Sequence, residues 1–314
     1  MPAVTASAPG KIILFGEHAV VYGRPAIAVP VTQVRAKVTV TANPAGALGQ
    51  VQITAGEVGL DSPLSDLPGD HPLALAVTGV AEMLSVDHLP ALRLHISSTI
   101  PIASGLGSGA AVTAAIARAL SAFIGHPLAD DQVSHIAYRV DQKYHGTPSG
   151  IDNTVIAYAQ PIFFTRGKPF ERLCASQPFT VIIGNTGISS PTGEVVGDVR
   201  RRWQADPAPY ERLFDEIGAV AHQARQVIEK GPPAELGPLL TRNHQLLQSL
   251  EVSCGALDRL VEAALAAGAG GAKLCGGGRG GNMIALADGD TAPLIAEALR
   301  RAGAVNCIIT TVQS

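Results

Sequence analysis

The chain has 314 residues, 46% of them hydrophobic, which is enough for about two domains with real cores and argues against a disordered protein. A net charge of −3, from 23 basic and 26 acidic residues, and an aromatic content of only 4% argue against a nucleic-acid partner. The one basic run, Arg200-Arg201-Arg202, suits a solvated helix face. No apolar stretch reaches the roughly 18 residues that span a bilayer. The early KIILFGEH is too short and too soon charged for a secretory signal, so a cytoplasmic protein with no membrane partner is expected. Cys174, Cys254, Cys275 and Cys307 lie far apart and read as free thiols; with no HExxH and no Cys/His cluster, nothing argues for zinc.

In chain order, KIILF, AIAVPV and TQVRAKVTVTA read as three strands, the last with Val34, Ala36, Val38 and Val40 on one face. Residues 44–70 read as loop and hairpin, 72–85 as a helix and 92–97 as an alternating strand. The glycine loop STIPIASGLGSG then leads into the apolar helix AAVTAAIARALSAFIG. DDQVSHIAYRVDQKY forms a second helix and ends at HGTPSGIDNT, a run of turn residues that closes on a single carboxylate, Asp152. A strand over 179–187 opens a mostly helical second half, with helices near 192–203, 208–230, 233–248 and 255–267 and a closing strand, helix and strand. The domain boundary falls near residue 175, giving domains 1–175 and 176–314.

Three stretches carry candidate chemistry. PIASGLGSGAA, residues 101–111, can form an anion site, because unpaired amides and a helix dipole point the same way. It lacks the Gly-Lys-Ser/Thr of a Walker A loop. It satisfies a bare G-x-G-x-x-A through Gly105, Gly107 and Ala110, but does not follow directly on a strand. Taken alone, it fits either a phosphate cradle or tight helix packing. In KLCGGGRGGNMIAL, five glycines fall between Gly276 and Gly281, which fits either a flexible hairpin or close packing against another loop or a ligand. In APGKIILFGEHAVVYG, Lys11 heads a core strand, where a lysine ordinarily snorkels to solvent, and Glu17-His18 follow it as what is ordinarily a surface pair.

Together these stretches resemble the GHMP kinase superfamily, and within it the mevalonate kinase subfamily. APGKIILFGEHAVVYG is similar to that family's first motif, PIASGLGSGAA to its phosphate loop, KLCGGGRGGNMIAL to its third motif, and HGTPSGIDNT to the segment with the catalytic aspartate. GNTGISSPT and NHQLLQSLEVSCGALDRLVEAA also resemble its second half, so the likeness covers nearly the whole chain. The resemblance implies a two-domain α+β fold, with an N-terminal domain like ribosomal protein S5 domain 2 and a ferredoxin-like C-terminal domain. It implies ATP-dependent phosphorylation of the C5 hydroxyl of mevalonate, with ATP and Mg2+ as cofactors, and it allows a homodimer.

By the same resemblance Asp152 and Lys11 are catalytic, and Pro101, Ala103, Ser104, Gly105, Leu106, Gly107, Ser108, Gly109 and Ala110 hold the nucleotide. Lys11, Glu17, His18, Asp152, Thr192 and Gly277 bind the alcohol. The metal ligands depart from the family pattern. Gly109 stands where a second serine is usual, and Asp141, eleven residues before Asp152, stands where a glutamate is usual, so a hydroxyl of Ser108 or Ser104 and a water-mediated Asp141 are expected to hold magnesium. The basic residue usual two before Thr192 is Ser190 here, which makes Arg166 the candidate for the substrate carboxylate, with Arg279 as another. Phosphomevalonate, homoserine and the 3-hydroxyl of mevalonate are the alternative acceptors, and a sensor without turnover is the alternative class.

Overall fold

The computed structural model describes residues 3–101, 104–145, 148–190 and 192–313. Its first elements are β1 (Val4–Phe15), β2 (Ala26–Ala42), β3 (Val51–Ala55), β4 (Leu60–Pro63), α1 (Pro72–Met83), β5 (Leu92–Ser98), α2 (Ser108–Ile124), α3 (Asp130–His145) and α4 (Ile151–Tyr158). There follow β6 (Ile162–Phe164), β7 (Glu171–Arg172), β8 (Phe179–Asn185), α5 (Thr192–Ala205), α6 (Pro207–Lys230), α7 (Leu236–Ser249) and α8 (Gly255–Ala266). The last are β9 (Gly271–Cys275), β10 (Asn282–Ala287), α9 (Ala292–Arg301) and β11 (Asn306–Val312). This is the α+β class. No helix among the described residues is long and apolar enough to cross a membrane.

Packing groups the chain into two compact units that interleave along the sequence. One comprises Met1–Gly10, Val34–Pro101 and Gly107–Ala159; the other comprises Lys11–Gln33, Ile102–Leu106 and Gln160–Ser314. These units are drawn by packing, whereas the boundary near 175 divides the chain by sequence, and β1 and β2 contribute to both.

In the first unit the strands run in the order β4-β3-β5-β2. Val34, Ala36, Val38 and Val40 are all buried, as the alternation in β2 requires. Residues 44–70 do contain a hairpin, β3 against β4, but β3 also pairs in parallel with β5, from Val51↔Leu92 to Ala55↔Ile96. A parallel pair needs a crossover, and α1 lies in it. α2 is apolar around nearly its whole circumference, with Ala111, Ala114, Ala115, Ile116, Ala117 and Leu120 fully enclosed, and it packs against α1, α3 and α4.

The second unit contains a four-stranded antiparallel sheet in the order β11-β8-β10-β9. That order is the ferredoxin-like βαββαβ arrangement, with α5 to α8 filling the first crossover and α9 the second. The two strands expected over 26–42 form one. β2 pairs with β6 through Ala26–Ala28 and with β5 through Ala36–Ala42, so Pro30, which has no N–H to donate, falls between those two ladders.

Helix α7 lies on β9 at backbone distance. A Cβ built on Gly237 would sit 2.0 Å from the Gly270 carbonyl oxygen, and one on Gly271 would sit 1.9 Å from that of Gly237. Neither backbone can yield without moving a whole element. Gly237→Ala is therefore expected to destabilise the protein by about 3 kcal/mol, the upper part of the overpacking range, measured by urea unfolding; an unchanged midpoint would show that the contact is looser than described.

Candidate active site

The loop before α2 is held from both flanks in the second unit. The Lys11 amide donates to the Leu106 carbonyl at 3.0 Å, and Asn282 Nδ2 donates to the Ser104 carbonyl at 2.5 Å. Leu106 is buried, while Gly105 has φ +80° and a Cβ there would meet nothing within 4 Å. In the first unit Gly107 caps α2 with φ 75°, and Ser108 is its first residue. Gly109 likewise faces open space. The opening amides of a helix have no intrahelical acceptor, so Ser108, Gly109 and Ala110 present N–H groups at the positive end of a helix of 17 residues. Fixed backbone with open space before its glycines is what an anion cradle requires. Pro101 is half-buried, and Ala103 lies outside the described residues.

The corner that ends on Asp152 is built as the turn residues suggest. Gly150, at φ 93°, caps α4, and Asp152 lies half-buried in the first turn of that helix, where the dipole favours its charge. Thr154 Oγ1 donates back to the Gly150 carbonyl at 2.6 Å and closes the turn. Asn153 Nδ2 donates to Ser134 Oγ at 2.8 Å and locks α4 onto α3. Asp141, half-buried, lies seven residues beyond Ser134, two turns along the α3 face that meets α4. Pro148 is described; Thr147, whose backbone it restricts, lies outside the described residues.

The second unit gathers Glu17, His18, Thr192 and Gly277. Far from forming a surface pair, Glu17 and His18 are 1% and 5% exposed. Lys11 is also buried. Glu17 pairs through Oε1 with Lys273 Nζ, itself 0% exposed, and accepts at Oε2 from Asn243 Nδ2 at 3.3 Å. Beside Asn243, His244 accepts from the Leu274 amide at Nδ1, 3.3 Å away. His18 has φ 61° and ψ −51°, and the Ala19 amide donates to the Glu17 carbonyl at 2.7 Å. Those are the marks of a γ-turn of positive φ, a strained form that persists only where its surroundings enforce it.

His18 Nε2 lies 3.0 Å from the Gly277 carbonyl oxygen. A carbonyl can only accept, so Nε2 carries the proton and Nδ1 of the neutral ring is left as an acceptor. Burial pushes the His18 pKa down to about 4, with Arg202 and Arg279 adding to the fall and the Gly277 bond opposing it. Thr192 packs directly over Gly277, where a Cβ would lie 2.7 Å from Thr192 Oγ1.

The glycine loop between β9 and β10 is a hairpin connection, and its glycines serve close packing. A Cβ at Gly278 would meet the Val252 carbonyl at 2.0 Å, and one at Gly280 would meet those of Ile188 and Ser189 at 2.8 Å. Ser190 Oγ donates to the Gly278 carbonyl at 2.8 Å, and the Gly281 amide donates to that of Ile188 at 2.8 Å. Arg279 pairs with Asp198, whose carboxyl that bond holds below the usual range. Arg166 donates to the Val21 carbonyl at 3.1 Å. The sequence assigns no individual role to Lys273, Asn243, Asn282 or Asp198; a lysine inside the apolar GAKLC was the one visible signal.

Models of the GHMP kinases N terminal domain and the GHMP kinases C terminal match residues 74–160 and 224–305. The mevalonate kinase of Pyrococcus horikoshii is 36% identical, over 97% of this chain and 94% of its own. That of Thermococcus gammatolerans is 38% identical, over 90% of this chain and 89% of its own. The crystal structure of L. major mevalonate kinase in complex with R-mevalonate has a TM-score of 0.84 at 31% identity, covering 98% of this chain and 95% of that one.

The buried imidazole makes stability depend on pH. Below about 6.5 the unfolded chain takes up a proton that folded His18 refuses until about 4, so stability falls across that window as pH drops. Between pH 7 and pH 5 the protein is expected to lose about 2 kcal/mol more than His18→Gln, from 1.4 kcal/mol per pKa unit. Urea unfolding at both pH values checks this; equal losses would contradict it.

Proposed function

Because the chain belongs to the GHMP kinase family and is thus an ATP-dependent small-molecule kinase, we propose that it phosphorylates the C5 hydroxyl of (R)-mevalonate to give 5-phosphomevalonate. The observation that carries the choice of acceptor is the 36% identity over 97% of the chain to a protein named mevalonate kinase. The enclosed Glu17-His18 turn over Gly277 and Thr192 supports it, since a small polar alcohol suits a neutral imidazole acceptor.

Phosphoryl transfer leaves the protein little covalent chemistry to do, so its residues position groups and stabilise charge. The amides of 104–110 cradle the ATP phosphates. Asp152 orients the C5 hydroxyl for attack. As the new O–P bond forms and the bond from the γ-phosphorus to ADP breaks, the hydroxyl proton passes to the Asp152 carboxylate. A carboxylate is a weak base for an alcohol, so that transfer comes late, when the oxygen has become acidic. Lys11 offsets charge on the migrating group.

The donor set fits magnesium. A hydroxyl on the first residue of α2 and a carboxylate on the α4-facing side of α3 are hard oxygen ligands, few enough to leave room for waters. Ser108 and Asp141 would hold the ion, which when bound neutralises phosphate charge. Arg166 serves the substrate carboxylate in this reading.

ADP release coupled to an indicator, with mevalonate, phosphomevalonate and homoserine offered separately, is expected to respond to mevalonate. Asp152→Ala should lower kcat by about 10²–10⁴ with little change in KM. Turnover of another alcohol in place of mevalonate, or full activity in the variant, would overturn the assignment.

A further inference from the structure

Among the described residues the catalytic scheme leaves an enclosed lysine unused, Lys273 in the middle of β9. We infer that Lys273 is a positioning residue for substrate: by anchoring Glu17 it holds the γ-turn that presents the His18 imidazole. The inference rests on the proposed kinase reading, in which His18 lines the mevalonate pocket.

Glu17 is the link. Its carboxylate is enclosed, with one oxygen on Lys273 and the other on Asn243, so it faces the interior of the unit and acts through the backbone that follows it. The Glu17 carbonyl accepts the hydrogen bond that closes the turn around His18. On the other side of Glu17, Gly16 has φ 96° and lies so close to β2 that a Cβ would fall 2.5 Å from Ala26 Cα. The turn is therefore gripped before, at and after Glu17, and its strained His18 has no room to relax.

Strand β9 and the loop that follows it supply the two ends of the grip. Lys273 holds Glu17, and Gly277, four residues on, offers the carbonyl to which His18 Nε2–H donates. The strand thus fixes the root of the turn and the loop just beyond it fixes the ring at its tip, which leaves His18 Nδ1 as the acceptor nitrogen of the ring. A buried ion pair is poor evidence of stabilisation, because apolar residues of equal volume usually serve the fold as well. Apolar residues could not orient the turn, and orientation is the role the geometry gives to Lys273.

The test separates positioning from folding. Glu17→Gln combined with Lys273→Met removes both charges at near-constant volume, so neither is left buried alone. Glu17→Asp, as a second variant, keeps the pair but shortens the tether by one methylene. In whichever of these folds cooperatively, KM for mevalonate should rise about tenfold while KM for ATP and kcat stay within about twofold, the pattern of one lost ground-state contact. The ring nitrogens of His18, assigned in 15N-histidine spectra by their loss in His18→Gln, should shift in the same variants.

A folded variant with the unaltered KM for mevalonate, or with unmoved His18 resonances, overturns the inference. Absence of turnover by the unaltered protein would instead sink the kinase reading. The His18 resonances would then decide on their own whether Lys273 sets the turn.

Discussion

The second unit is organised around two opposite charges that have no access to water. Glu17 and Lys273 meet where both are fully enclosed, one on the turn after β1 and the other in β9. Removing either partner alone from such a site costs about 3–5 kcal/mol, because the charge left behind is stranded. That penalty makes the register between the turn and the strand close to all-or-none. The backbone contact between Gly237 and Gly270–Gly271 brings α7 close enough for Asn243 to satisfy the second carboxylate oxygen. Helix, strand and turn are thereby fixed to one another, and the neutral His18 ring and the Gly277 loop inherit their places from that lock.

Two kinds of rigidity divide the chemical work. The loop at 104–110 and the hairpin loop at 276–281 are mostly backbone, and in each the glycines remove side chains where a ligand or another segment must approach. The carboxylates, by contrast, are carried on helices locked by side-chain hydrogen bonds, as Asn153 to Ser134 locks α4 to α3. Amides suit phosphate oxygens because they need no counter-charge of their own. In the proposed reaction a carboxylate takes a proton from one hydroxyl and has to be aimed, and Asp152 stands in a helix first turn behind a left-handed glycine.

Much of this was legible in the sequence because it is local. The alternation of Val34, Ala36, Val38 and Val40 gave the buried face of β2, and the turn residues 148–150 placed Asp152 in a helix first turn. The apolar helix after the glycine loop was legible too, although α2 starts at Ser108, two residues before the expected Ala110. What stayed hidden depends on distant partners. The parallel pairing of β3 with β5 leaves no mark in a segment rich in turn residues. The burial of Glu17 could not be read from the turn that carries it, since the lysine that makes it tolerable lies 256 positions away. The second glycine loop was ambiguous for the same reason: Val252, Ile188 and Ser189, which its glycines admit, belong to other parts of the chain.

The central claim is that this chain, a member of the GHMP kinase family, directs a phosphoryl group from ATP to one particular oxygen of mevalonate. The proton-coupled 31P spectrum of the product tests this most directly. Phosphate on the C5 oxygen is bonded through carbon to two methylene protons, so the account predicts a phosphomonoester triplet growing as ATP is consumed. A singlet, as the tertiary 3-hydroxyl would give, or ATP turnover with no new ester signal, would contradict it.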